Sequence, residues 1–175
     1  LNASIYFDFR SLAGDPAMAQ ALRSEIAQAA QRVPRFLQQL AANALRHSVP
    51  LNWLGNIAVD GAGMVDLKLQ GSALFVDAAR LFALAHGVTA TGTRDRIVAA
   101  GPSMGLTSTE YEAWAVGFEF IQMLRLQVQL QSTGNIERPN HVAVASLNDI
   151  DRRMLKESFR VGRAMQQRLQ LDYMR

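Results

Sequence analysis

The sequence predicts an all-α fold, an antiparallel helical bundle of the four-helix type, with an N-terminal strand and one short β-hairpin added. Three observations predict it. Helix start signals recur along the 175 residues, at Asp15-Pro16, Pro34, Thr93, Thr107 to Glu110 and Ser146 to Asp149. The apolar residues after each signal return every three or four positions, the period of a helix with one buried face. Strand-like composition is confined to the first ten residues and to 48–71, so no strand–helix alternation competes with a bundle.

Taken in order, Ile5-Tyr6-Phe7 leading into Asp8-Phe9-Arg10 reads as a buried strand that carries one carboxylate and one guanidinium. Asp15 is an N-cap and Pro16 a first-turn proline for a helix to about Arg32, and Pro34 restarts a second helix to about His47. Between Ser48 and Gly71 the helical period stops. Ile57-Ala58-Val59, the turn Asp60-Gly61 and Met64 to Leu69 predict a hairpin there. A third helix spans about Ala73 to His86 and ends on Gly87, and a short fourth runs from Thr93 to Ala100 before Gly101-Pro102. Thr107 and Glu110 have the spacing of a capping box for a long fifth helix to about Ser132. The last helix runs to about Tyr173, with Leu155, Phe159, Gly162, Met165, Leu169 and Tyr173 on one face and Arg153, Lys156, Arg160 and Arg163 on another.

Length suits one domain with a single core, residues 1–175. The chain opens on Leu1 with no initiator Met and no signal-like segment, so it reads as a domain excised from a longer protein, with residues 1–10 at the junction with a missing upstream domain. No cysteine is present, which excludes a disulfide framework and a thiolate zinc site. Asp77, Arg80 and Arg125 interrupt the most apolar stretches, so no membrane span is expected and the assigned compartment is the cytoplasm. A net charge of +3 is a mild bias toward anionic partners, too weak to name nucleic acid. His47, His86 and His141 have no metal-ligand spacing, and no Walker-type loop or Gly-x-Ser-x-Gly elbow occurs.

The candidate site residues are charges on apolar elements. Asp77 and Arg80 share a face of the apolar third helix, either as a structural ion pair or as the wall of a substrate cleft. Asp66 and Lys68, two apart on the expected strand, point the same way, and Lys68 suits either a phosphate-facing charge or an ion pair. Arg94 and Arg96 stand at the start of a short helix, where they either meet an anion or face solvent. Glu119, Gln122, Arg125 and Gln129 make a polar stripe on the fifth helix, with Arg125 expected partly buried against a carboxylate such as Asp77.

The opening Asn2-Ala3-Ser4-Ile5-Tyr6-Phe7-Asp8-Phe9-Arg10 with Gly14-Asp15, and then Val65-Asp66-Leu67-Lys68, Asp77 to Leu84, Thr93 to Arg96 and Phe120 to Leu126, resemble the nucleotidyltransferase substrate-binding domain of bacterial signalling proteins. That domain follows a nucleotidyltransferase domain, often in chains with CBS and cyclic-nucleotide-binding modules, and is similar to a region of the PII-protein uridylyltransferases. The resemblance implies that the upstream domain of an intact protein supplies magnesium and nucleoside triphosphate chemistry, while this chain positions an acceptor, a protein among the candidates. Lys68, Asp77, Arg80, Arg94 and Arg125 then become substrate contacts, and Asp8 a third catalytic carboxylate and magnesium ligand at the domain junction. The paired carboxylates after a Gly-Ser turn that such chemistry requires are absent, so this chain alone is expected to be catalytically silent. The rival reading is a regulatory or dimerisation bundle with no substrate, its homodimer formed through the apolar stripe of the last helix.

Overall fold

The structure, a computed structural model, describes residues 7–131 and 138–174. Among these residues the chain forms six helices: α1 (Pro16–Gln31), α2 (Pro34–Ala44), α3 (Ala73–Ala85), α4 (Thr93–Ala100), α5 (Ser108–Gln131) and α6 (Asp149–Tyr173). The signals at Asp15 and Thr107 act as the sequence predicts, whereas Thr93 is the first residue of α4 behind Gly92 and makes no side-chain cap, and Ser146 lies in a short turn ahead of α6. The Asp15 carboxylate accepts from the Ala17 amide at 2.8 Å, and Thr107 and Glu110 close a reciprocal box, with the Thr107 amide on the Glu110 carboxylate at 2.8 Å and the Glu110 amide on Thr107 Oγ1 at 3.3 Å. At α6 the cap is Asn148, whose side chain accepts from the Asp151 amide at 2.8 Å.

α3 is the centre of the bundle. It packs against α1, α2, α4 and α6, which is why it is apolar nearly all round: no side of it meets water for long. Phe75, Leu74, Leu81 and Phe82 are fully enclosed, and Phe82 stacks on Trp114 of α5 with ring centroids 5.9 Å apart. The predicted stripe of α6 faces the same core, with Leu155, Phe159, Met165 and Leu169 at 0% exposure. A dimer through that stripe therefore loses its support.

Two β expectations are corrected. Within the described residues, Phe7 to Arg10 form no strand, while residues 1–6 of the expected strand lie outside them. Arginines from neighbouring helices take the hydrogen bonds of Phe7 and Phe9 that a sheet would have taken. The hairpin is also re-paired: β1 (Met64–Asp66) runs antiparallel to β2 (His141–Ala143), with Val65 opposite Val142, whereas Ile57 makes only an isolated bridge to Leu51. Val65 and Val142 are both buried, so the distant partner offers a core face that the local turn does not. Past Asp66 the chain leaves the strand for a π-helical turn, Leu67–Ser72, whose first amides, those of Lys68 and Leu69, are capped by the Asp66 carboxylate.

Candidate functional site

Three helices converge on the segment Phe7-Asp8-Phe9. From α3, Arg80 reaches one Asp8 oxygen through Nη2 at 2.5 Å and the other through Nε at 3.4 Å, and donates Nη1 to Asp77 at 2.7 Å. From α4, Arg96 holds Asp8 through Nη1 at 2.7 Å and donates to the Phe7 and Ala90 carbonyls at 3.0 and 2.8 Å. From α1, Arg23 donates to the Phe9 carbonyl at 2.7 Å and lies over the Phe9 ring. Arg80 and Arg96 are buried, and each guanidinium is satisfied by charged or carbonyl acceptors, as burial requires.

The electrostatics follow from who is paired with whom. Burial alone would raise the Asp8 carboxyl, but hydrogen bonds and charge from Arg80 and Arg96 outweigh it and hold that group below its ordinary range. Burial likewise opposes the Arg80 charge, yet two carboxylates, Asp8 and Asp77, more than restore it. Arg96 has only Asp8 and feels Arg80 and Arg23, so burial prevails and its pKa falls, though the group stays protonated at any physiological pH.

Asp77 looks the other way, into a groove. Lys68, Ser72, Ala73, Val76, Asp77, Gln122 and Arg125 line a depression of about 240 Å³ between the π-helical turn, the start of α3 and the middle of α5. The turn can lie this close to α5 because Gly71 has no side chain; a Cβ there would stand 3.0 Å from Ile121 Cγ2. Arg125 donates Nε to Asn140 at 2.6 Å and Nη1 to Gln122 at 3.3 Å, both neutral partners, so the expected Arg125–Asp77 pair is replaced by amides. Lys68 is exposed and has no ion-pair partner among the described residues. Asp77 has one oxygen on Arg80 and the other 3.9 Å from His47 Nε2.

Lys68, Asp77 and Arg125 thus share one groove. Arg80 stands behind its wall, joining Asp77 to Asp8. Arg94 is elsewhere, matched by Glu112 and Glu119 at 3.3 Å each. Asp66 and Lys68 do not share a strand face, because Asp66 is spent on capping. Sequence reasoning placed Arg96 near the surface and gave Ser72, His47 and Asn140 no role at the site. No local spacing marked any of them, because the partners of Arg96 lie at Asp8 and Phe7, far away in the sequence.

The fit of a metal can be judged from the donors. Among the described residues no group of three or more His, Asp or Glu side chains could hold a metal ion. Asp8 has both oxygens on guanidiniums, whose charge opposes a divalent cation at the same carboxylate. As arranged here these residues do not form a magnesium site.

Residues 34–173 match the family described as "Putative nucleotidyltransferase substrate binding domain". The chain belongs to this family. The matched span opens at the first residue of α2, so Lys68, Asp77, Arg80, Arg94 and Arg125 fall inside it and Asp8 outside. No curated protein and no solved structure matches the chain. Among the described residues no helix is long and apolar enough to cross a membrane.

Proposed function

We propose that this domain holds the acceptor for a nucleotidyl transfer carried out by a separate catalytic domain, and that the groove of Lys68, Asp77, Gln122 and Arg125 is where the acceptor sits. The observation that carries this reading is the groove's charge pattern. It offers two cations without a carboxylate of their own, Lys68 and Arg125, facing a carboxylate, Asp77, that keeps one oxygen free of Arg80. A ligand with an anionic group for the cations and a hydroxyl or amine donor for Asp77 satisfies all three. Family membership supplies the chemical context.

In this reading Lys68 and Arg125 bind and orient, Asp77 accepts the hydrogen bond of the group to be modified, and Arg80 fixes Asp77 from behind. The gain is positional: an acceptor held in register needs no further ordering when it meets the nucleotide. Magnesium and nucleoside triphosphate belong to the catalytic domain. The test is kinetic, in a longer protein that joins this domain to a nucleotidyltransferase domain. Lys68→Ala and Arg125→Gln should raise the acceptor KM by about ten-fold each, equivalent to about 1.4 kcal/mol of binding, and leave the KM for the nucleotide unchanged. Equal effects on both substrates, or none, refute the reading.

A further inference from the structure

Just ahead of α3 stands a hydroxyl that the fold leaves unspent. Ser72 is 4% exposed, and among the described residues its side chain makes no hydrogen bond and caps no amide. The other buried serine, Ser158, donates to the Met154 carbonyl four residues back at 2.9 Å, as Ser24 does to Gln20 at 3.1 Å. Ser72 closes no such bond, and the carbonyl four residues before it, that of Lys68, accepts the Ala73 amide where the π-helical turn runs into the helix. A hydroxyl on a buried residue is costly to leave without a partner unless something outside the fold supplies one. Its oxygen is not sealed inside the core, a state found among the described residues only at His141 Nδ1. It opens on the groove, which Ser72 lines with Lys68 and Arg125.

We infer that Ser72, Lys68 and Arg125 form a phosphate subsite, and that the acceptor held in the groove is a phosphate monoester bearing a hydroxyl or amine for Asp77. The inference deepens the acceptor reading and rests on it. What selects phosphate over carboxylate is the kind of donor. A guanidinium recognises a carboxylate through two parallel N–H bonds, but Arg125 has Nε on Asn140 and Nη1 on Gln122, which leaves Nη2 among the described residues. Lys68 is a point charge and Ser72 offers a single O–H. Lys68 and Ser72, four apart in the turn, belong to one wall of the groove and Arg125 to the other. Three single donors from two walls suit the three terminal oxygens of a tetrahedral phosphate better than the two coplanar oxygens of a carboxylate.

Charge and size agree. Asp77, the carboxylate of the groove, is offset by Arg80 at 2.7 Å, so Lys68 and Arg125 leave the site net positive toward a dianion. At about 240 Å³ the depression is smaller than the sites of drug-sized ligands, so the phosphate carries a short arm.

Amide NMR titrations of this chain with inorganic phosphate and with acetate, at one ionic strength, test the inference. Phosphate should saturate the shifts of residues 68–77 and 122–126 at a concentration about ten-fold below acetate. Ser72→Ala should weaken phosphate by about ten-fold, the worth of one hydrogen bond to a charged group, and leave acetate unchanged, whereas Lys68→Ala should weaken both. Ser72→Ala should also melt no lower than wild type, because the oxygen it removes holds nothing in the fold. Phosphate binding indifferent to Ser72→Ala, acetate binding as tight as phosphate, or a lower melting temperature in Ser72→Ala would overturn the inference. If in those cases the groove shifts and their loss in Lys68→Ala persist, the acceptor reading stands without it. Groove shifts from neither anion would remove both.

Discussion

At Asp8 a segment with no regular structure of its own is held by arginines from three helices, and one carboxylate serves two buried guanidiniums. Removing that charge leaves Arg80 with Asp77 alone and Arg96 with carbonyls alone. Asp8→Asn should therefore destabilise the chain by about 2 kcal/mol, less than for a fully enclosed pair because the carboxylate is 38% exposed. Thermal melting checks this, and Asp8→Glu should restore part of the loss. The same carboxylate gives the acid limb a definite sign. Its folded pKa lies below 3.8, so its contribution is complete above that pH and is lost as pH falls through the depressed folded value. His86, whose pKa burial pushes below 6.5, acts earlier: the unfolded chain takes up a proton first, and stability declines as pH drops beneath 6.5. Denaturation followed from pH 8 to 3 should show both declines in wild type, and in Asp8→Asn a shallower acid decline, since Asp60 and Glu110 are also held below their ordinary values and keep part of it. Asp8 was legible in the sequence as a charge on an apolar segment. Its partners were not, because they lie 72 and 88 residues away and nothing local selects them.

Helices were far more legible than strands, and the reason is range. The signals that start α1 and α5 lie within three residues of the amides they cap, so the sequence contains both halves of each interaction. β1 instead chose a partner beyond α5, across the 77 positions from Val65 to Val142, and a turn with good local chemistry at Asp60-Gly61 lost to the burial of those two valines. Long-range packing also decides how α6 lies. Gly162 meets the loop after α2 and α3 so closely that a Cβ would stand 2.9 Å from Val49 Cγ1 and 3.3 Å from Phe75 Cε2. Gly162→Ala gains about 1 kcal/mol of helix propensity and loses about 1–3 kcal/mol to overpacking, because valine is stiff and Phe75 is fully enclosed. The expected outcome is net destabilisation by about 1 kcal/mol in chemical denaturation, with the helical spectrum preserved.

The molecule as a whole is arranged around α3, which closes the core on one side through Phe75 and Phe82 and carries Asp77 and Arg80 on the other. That arrangement puts the proposed acceptor groove on a rigid element instead of a loop, and joins it through Arg80 to the segment held at Asp8. The groove could be anticipated from Lys68, Asp77 and Arg125 as charges on apolar elements. Gln122 was legible too, three residues before Arg125 in the polar stripe, whereas the Asn140 amide and the departure of Arg94 depended on packing that no spacing reveals. The proposed groove is probed most directly by a backbone-amide NMR titration of this chain with inorganic pyrophosphate, using wild type and the Lys68→Ala/Arg125→Gln double variant. Saturable shifts confined to residues 68–77 and 122–126, and lost in the double variant, are the predicted result; shifts centred on the basic face of α6 and unaffected by those two substitutions would contradict it.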